Sequence, residues 1–202
     1  MAPVAGMPET LALFPLNTVL FPGGPLPLRI FETRYLDMLS RCLKSNAGFG
    51  VCLIEQGSET GPARTYTVGT LARIRDWSND ADGLLHILAT GERRFRILRM
   101  RVQHDGLYLG EVEWLPDEPL LPLPESAQPL AEMLRELLAQ LWQPYAMITP
   151  AYGDSSWVGC RLAELLPLPV KQRQHLLEIS DAQLRLDVIA ALVQSQAEQK
   201  SA

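Results

Sequence analysis

The sequence predicts an α+β fold in which strands with one inserted helix come first and a group of helices comes last. Up to about residue 115, short apolar runs with period-two patterning are separated by turns that contain proline or glycine. After Pro116, the apolar residues recur at intervals of three and four, which is typical of helices. We therefore expect a sheet in the first part of the chain and helices in the last third.

Prolines define the first two strands. Proline cannot occupy a helix interior or a central strand, so the turn at residues 22–25 separates two short strands of the edge type. A helix follows at once, because apolar side chains recur at helical spacing: Tyr35, Leu36, Met38, Leu39, Cys42 and Leu43. Residues 45–48 end this helix, residues 49–54 form a buried strand, and residues 56–64 form a loop.

Four further strands are predicted to form a meander. They lie near residues 65–77, 84–90, 94–103 and 107–115. Asp82-Gly83 and Asp105-Gly106 suit the tight turns of hairpins. With six or seven strands in all, closure into a small β barrel would hide the strand edges.

The C-terminal third is predicted to be a small helical bundle behind a proline-rich connector. Its first helix starts near Ser126 and stops before Pro144, and its last begins at a capping-box pattern, Ser180 to Gln183. Two shorter helices lie between them, near residues 155–166 and 169–179. The expected organisation is a β-barrel lobe at 9–118, a connector at 119–128 and a helical lobe at 129–197.

Composition narrows the class of protein. The 202 residues include 18 basic and 23 acidic side chains, and the net charge of -5 disfavours a nucleic-acid partner. The three cysteines are odd in number and have no zinc-like spacing, which favours reduced thiols in the cytoplasm. No basic region is followed by an apolar stretch, and no run of eighteen apolar residues occurs, so we expect neither export nor membrane insertion.

No pattern in the sequence indicates catalysis. No glycine precedes a Lys-Ser or Lys-Thr pair, so a phosphate-binding loop is not expected. His86, His104 and His175 are far apart, and no spaced carboxylate or cysteine accompanies them. We therefore expect a binding protein with no cofactor, no metal and no catalytic residues.

Five arginines lie close together on one predicted strand: Arg93, Arg94, Arg96, Arg99 and Arg101. Arginine forms planar, bidentate contacts with phosphates and carboxylates, so these side chains could bind RNA or a small anionic ligand. Alternatively they pair with acidic residues of the same fold: Glu32, Glu92, Glu111 and Glu113. Phe95 is the only aromatic residue in this strand, which weakens the RNA interpretation.

Several motifs in their order resemble the Lon N-terminal domain family. They are Phe14-Pro15-Leu16, Phe21-Pro22-Gly23, Ile30-Phe31-Glu32 with Arg34-Tyr35, Val68-Gly69-Thr70 and the segment Gly91 to Ile97. Leu165 to Leu168 and Leu176 to Glu178 are similar to the family's C-terminal helices. The resemblance covers about residues 9 to 195 and implies a PUA-like barrel with an inserted helix and a helical C-terminal lobe.

In this family the domain recognises protein substrates of ATP-dependent Lon proteases. The resemblance therefore implies a non-enzymatic, free-standing member that binds unfolded or flexible protein segments. The ATPase module and the Ser-Lys protease centre of Lon proteases have no counterpart in this sequence. A separate protease or chaperone is a possible partner, as is a second copy of the chain, whereas nucleic acid and membrane are not expected.

Seven residues are candidates for the binding site. Phe21, Phe31 and Trp77 are expected to form an exposed apolar surface near loops. Glu32 and Arg34 lie where strand becomes helix, and we expect Glu32 to cap the helix or to pair with an arginine of the strand that contains Arg94 and Arg96. Arg94 and Arg96 are the candidates for the alternative, anion-binding site.

Overall fold

The computed structural model describes residues 9–79, 84–141, 145 and 148–201. The chain divides between Asp117 and Glu118 into two compact units. The first contains the strands and one helix, and the second contains the remaining helices. The predicted α+β fold is confirmed, with six strands and five α-helices in the described part of the chain. The predicted hairpin turn at Asp82-Gly83 lies outside the described residues.

The first unit is one six-stranded sheet with a helix inserted after the second strand. Its elements are β1 (Glu9–Leu16), β2 (Pro25–Ile30), α1 (Thr33–Ser45), β3 (Phe49–Gly57), β4 (Ala63–Asn79), β5 (Leu85–Val102) and β6 (Tyr108–Trp114). The β1–β3 pair is parallel and the others are antiparallel. The pairings run from β1 through β3, β4, β5 and β6 back to β1, and β2 adds to β5.

A single 18-residue strand, β5, replaces the two predicted strands at 84–90 and 94–103. The predicted break at residues 91–93 includes Gly91, which instead allows a close approach of the first turn to the strand. A side chain there would place its Cβ 2.2 Å from the Phe21 carbonyl oxygen. The backbone of Gly91 also exchanges two hydrogen bonds with the turn at Gly23 and Gly24, at 2.8 and 2.9 Å. Gly91 therefore docks the first turn onto a continuous strand.

Helix α1 packs its apolar stripe against the sheet. The buried side chains are those of the predicted helical spacing: Tyr35, Met38, Leu39 and Cys42. The rings of Tyr35 and Phe14 stack with centroids 3.8 Å apart. Asn46 ends the helix in the left-handed conformation, φ 49°, as the predicted stop requires. A second core cluster surrounds Phe95, with Leu11, Leu13, Cys52 and Val112 among its buried members.

The second unit contains a short 3-10 helix (Glu125–Ala127) and four helices: α2 (Gln128–Ala139), α3 (Ser155–Leu165), α4 (Val170–Glu178) and α5 (Ala182–Ser201). Helix α3 packs against the other three. Asp154 caps α3 by accepting a hydrogen bond from the Trp157 amide at 3.1 Å. The cap of α5 is Asp181, which accepts from two backbone amides, so the predicted capping box at Ser180 is wrong by one residue.

A buried ion pair joins the start of this unit to its last helix. The Arg185 guanidinium donates to both carboxylate oxygens of Glu118, with Nη1 to Oε2 at 2.8 Å, and both side chains are buried. Arg185 also donates to the backbone carbonyls of Leu176 and Ile179. Burial opposes the charge of Arg185, but the bond to Glu118 and nearby charges outweigh it and raise the pKa of Arg185. The guanidinium thus fixes three separate segments.

We predict that Glu118→Ala destabilises the protein by about 3–5 kcal/mol, because it leaves the Arg185 charge buried without its carboxylate. Denaturant titration followed by circular dichroism measures the loss. Glu132→Ala is the matched control, because Glu132 is exposed on α2 and its removal should change stability by less than about 0.5 kcal/mol. A loss below about 1 kcal/mol in Glu118→Ala would contradict the structural role given to the pair.

Candidate functional site

An exposed tryptophan lies at the end of a row across three strands. The register places Leu28 of β2, Ile87 of β5 and Trp77 of β4 side by side. Ile87 is buried in the core, whereas Trp77 is 54% exposed. A register shift between Ile74 and Asp76 precedes Trp77 on β4. The row therefore continues from the core onto an open apolar surface.

This surface contains a groove and a second exposed aromatic residue. Trp77 and Leu28 line a groove of about 320 Å³, together with Arg29, Asp76 and His86 among others. Phe31, the residue after β2, is 63% exposed and lines a smaller cavity of about 80 Å³. Leu28 and Arg29 line both cavities. We call the surface formed by Leu28, Arg29, Phe31 and Trp77 the Phe31–Trp77 surface.

Phe21 does not belong to this surface. Its side chain is fully buried, so the prediction that it is exposed is wrong. The reason is the docking of the first turn on Gly91, where the Phe21 carbonyl accepts a hydrogen bond from the Gly24 amide at 2.9 Å. Phe21 therefore belongs to the buried core and not to the Phe31–Trp77 surface.

Arg34 links the start of α1 to two loops. Its guanidinium pairs with Glu32 at 2.7 Å and donates to the carbonyl oxygens of Gly106 and Glu59, at 2.8 and 3.1 Å. Its guanidinium carbon also lies 4.7 Å from the centre of the Tyr35 ring. Burial raises the pKa of the Tyr35 hydroxyl, against the opposing charge of Arg34. Arg34 thus holds the backbone beside the Phe31–Trp77 surface.

The predicted role of Glu32 is wrong in both of its forms. Glu32 occupies the N-cap position of α1, but its side chain makes no capping hydrogen bond. Its ionic partner is Arg34, two residues away, and not an arginine of β5. The Glu32 carboxylate is directed instead towards the Arg34 guanidinium, which its Oε2 contacts.

The arginines of β5 are spread along a strand and are mostly occupied by acids. Arg94 is buried, so its prediction as a ligand contact is wrong. The ion pairs of the others are Arg96 with Glu113 at 2.9 Å, Arg93 with Asp117 at 3.9 Å and Arg99 with Glu111 at 4.0 Å. Glu92 pairs with Arg73 of β4, at 2.6 Å. The interpretation that the strand pairs with acids of the same fold is confirmed for Glu111 and Glu113.

The thiols are poorly suited to nucleophilic chemistry. Cys42, Cys52 and Cys160 are free and buried. Burial raises the pKa of Cys52 to about 12, so this thiol stays protonated at neutral pH. Among the described residues no group of three or more His, Cys, Asp or Glu side chains could hold a metal ion. Among them, too, no helix has the length and apolar character needed to cross a bilayer.

Comparison with known proteins identifies the family. Residues 10–195 match the sequence profile of the ATP-dependent protease La (LON) substrate-binding domain. The chain belongs to this family. The resemblance seen in the sequence motifs is thereby confirmed, and the match covers the Lon substrate-binding domain and not the ATPase or protease domains.

Solved structures and curated relatives agree with this assignment. The crystal structure of a Lon N-terminal domain protein from Xanthomonas campestris is 39% identical, with a TM-score of 0.78 over 91% of this chain and 98% of that one. The N-terminal domain of a Mycobacterium avium complex Lon protease shares the fold at 19% identity, with a TM-score of 0.63 over 90% of this chain and 96% of that one. A Lon protease of Anaeromyxobacter dehalogenans is 24% identical over 93% of this chain and 23% of its own length. The chain thus spans about a quarter of the length of the curated Lon proteases that it matches.

Within this Lon substrate-binding domain, the structure brings together only some of the predicted site residues. Phe31, Glu32 and Arg34 lie at the β2–α1 junction, and Trp77 lines the groove that shares Leu28 and Arg29 with the cavity of Phe31. Arg96 is exposed but lies farther along β5, where it pairs with β6. Sequence reasoning missed Leu28 and Arg29, which share the surface through strand pairing. The pairing of β2 with β5 would have revealed them, because β5 also pairs with the segment of β4 that contains Trp77.

We predict that Arg34→Ala costs about 3 kcal/mol of stability and Glu32→Ala only about 1 kcal/mol. Arg34 loses three partners, whereas removal of Glu32 leaves Arg34 its two carbonyl oxygens. Denaturant titration measures both. Glu55→Ala is the control, because its pair with Arg64 is exposed and its loss should cost less than about 0.5 kcal/mol. Equal losses in the Glu32 and Arg34 variants would show that the carbonyl contacts contribute nothing.

Proposed function

We propose that the chain recognises flexible protein segments through the Phe31–Trp77 surface. The observation that carries the proposal is the exposure of two large aromatic side chains, 63% for Phe31 and 54% for Trp77, beside a groove of about 320 Å³. Soluble domains rarely leave such side chains together in water without a binding role. Aromatic side chains and arginine are also the residues that contribute most to protein interfaces.

The chemistry of the surface suits an extended segment with an apolar side chain. Leu28, Phe31 and Trp77 offer apolar contact area, and Arg29 and Asp76 supply charges of both signs at the groove. Folded proteins bury most of their large apolar side chains, whereas unfolded segments expose them. The surface would therefore favour unfolded over folded partners, in agreement with a family whose domain is described as substrate-binding.

Finer expectations from the sequence accompany this proposal. The ring of strand pairings supports a PUA-like β barrel, and the packing of α3 against three helices supports a C-terminal helical bundle. The chain would act in the cytoplasm by binding alone and deliver its ligand to a separate protease or chaperone. The comparisons do not support the alternative of an RNA or small-anion site on the arginine strand.

We predict that dephosphorylated casein, an unfolded protein, binds the chain with an affinity that changes little between about 50 and 200 mM salt. A single-stranded oligouridine should bind weakly or not at all. Phe31→Ala and Trp77→Ala should each weaken casein binding by about tenfold, because each removes an apolar contact at the centre of the surface. Fluorescence anisotropy measures the affinity of the unaltered chain for labelled casein and for labelled oligouridine, and the affinity of each variant for labelled casein.

Leu184→Ala is the matched control for this experiment. Leu184 is an exposed apolar residue of α5 in the second unit, so its removal should leave casein binding unchanged. If all three variants weaken binding equally, the casein adheres nonspecifically and the surface is wrongly assigned. Tight, salt-sensitive oligouridine binding without casein binding would reject the proposed function.

We also predict that the purified chain neither hydrolyses ATP nor cleaves casein. The match covers the substrate-binding domain, and the sequence contains no phosphate-binding loop for ATP. Phosphate release and the appearance of acid-soluble peptides are the two measurements. Either activity, if it persists at a constant specific value through further purification, would contradict the binding role.

A further inference from the structure

The second half of β5 has a strand neighbour on one side. The described pairing of β5 with β4 ends at Val68 and Arg96, and the residues of β4 that precede Val68 pair with β3. From Ile97 to Val102, the described pairings of β5 are with β6. Every second residue of such a strand directs its backbone N–H and C=O groups to the unpaired side. This part of β5 is therefore open to a further strand.

The two faces of this segment differ in chemistry. Met100 lies opposite Gly110 of β6, whereas Arg99 and Arg101 lie opposite Glu111 and Leu109, on the other face. Val102 shares the face of Met100, and these two side chains are 57% and 36% exposed, respectively. Leu98 is also exposed, at the register shift. We call Leu98–Val102 the open β5 edge.

The edge formed by β2 is protected. Strand β2 ends the strand order and, among the described residues, pairs only with β5, but it contains Pro25 and Pro27. Proline has no backbone N–H to donate and is a common means of preventing the addition of a strand. The open β5 edge contains no proline and exposes apolar side chains. Of these two edges, only the β5 edge is therefore suited to accept a strand.

We propose that the open β5 edge binds an extended polypeptide as an added strand, with apolar and acidic side chains in alternation. The apolar side chains would lie beside Met100 and Val102, and the acidic ones beside Arg99 and Arg101, since side chains alternate between the faces of a strand. The inference deepens the proposed function and rests on it, because it assigns a mode of binding and a sequence preference to the recognition of flexible segments.

Charge argues against a second copy of the chain as the occupant. In a symmetric antiparallel pair of β5 edges, alignment of Met100 and Val102 with their counterparts would also align arginine with arginine. A shift by one residue would place arginine beside an apolar side chain instead. In both registers the arginines lack an acidic side chain opposite them, whereas a segment of alternating acidic and apolar residues supplies one.

The test uses a labelled six-residue peptide of alternating valine and glutamate. Replacing glutamate with lysine should weaken binding by about tenfold, because it places like charges beside Arg99 and Arg101. Two further analogues are N-methylated, one on every valine and the other on every glutamate. Only one of these two sets of N–H groups faces the protein in an added strand, so the affinities of the two analogues should differ by about tenfold. Equal affinities would overturn the proposal.

Variants of the protein test the same edge. Arg101→Glu should reverse the preference between the glutamate and lysine peptides, and Met100→Lys should weaken both. Arg41→Glu changes the net charge as Arg101→Glu does, but on the exposed face of α1, and should have no effect. Arg41, Met100 and Arg101 are all exposed, and equal melting temperatures would confirm that the variants are folded. An equal effect of Arg41→Glu would overturn the proposal, because the attraction would then be general.

The outcomes separate this inference from the proposed function. Casein binding that is weakened by Phe31→Ala and unchanged by both Arg101→Glu and Met100→Lys would preserve the proposed function and reject the β5 edge. No casein binding by the unaltered chain would reject the proposed function itself. Sedimentation that shows a dimer dissociated by Met100→Lys would assign the edge to a second copy and overturn the proposal.

Discussion

The fold of the first unit depends on the length of one strand, β5 (Leu85–Val102), which pairs with three others. Its first half lies between β2 and β4, and its second half pairs with β6. A strand has only two sides, so β5 can pair with three strands only because its neighbours change along its length. Register shifts in β4–β5 and β5–β6 provide the local bends that such a change requires. The groove beside Trp77 and the open β5 edge are located at the two halves of this strand.

Two of the family-like motifs have a packing explanation in this arrangement. Gly91 receives the first turn, and a Cβ there would collide with the Phe21 carbonyl oxygen. Gly69 lies under the Phe95 ring, where a Cβ would come within 2.7 Å of Cζ and within 2.4 Å of the Val51 carbonyl oxygen. Both glycines therefore leave space that a side chain would fill: Gly91 for the first turn, and Gly69 for the Phe95 ring of β5. These two motifs therefore describe how β5 is held.

Local sequence patterns predicted the elements well, but they could not predict what the elements contact. The spacing of apolar residues gave α1 and its buried face, and Asn46 marked its end. The break predicted at residues 91–93 is wrong, because the role of Gly91 depends on a turn some seventy residues earlier. The burial of Phe21 follows from the same docking. The Arg185–Glu118 pair joins residues 67 positions apart, a separation at which residue type alone does not select a partner.

The same limit explains why the candidate site was predicted only in part. Phe31 and Trp77 were identified by their type and their position near loops. Phe31 follows the end of β2, whereas Trp77 lies at the end of a row of three strands that the sequence did not predict. The arginines of β5 were conspicuous in the sequence, yet acids on β6 stand opposite two of them and Arg94 is buried. Clustering along a strand is not clustering on a surface, because alternate side chains point to opposite faces.

The two proposed contacts would detect different properties of an unfolded chain. The Phe31–Trp77 surface would contact apolar side chains, which unfolded segments expose and folded proteins mostly bury. The open β5 edge would bind backbone groups, which folded proteins almost always satisfy internally. A ligand must be unfolded to satisfy either contact, but only the edge adds a preference for alternating acidic residues. Recognition of the unfolded state would then need no deep, specific pocket, in agreement with the shallow groove beside Trp77 and with the relaxed sequence requirement of backbone pairing.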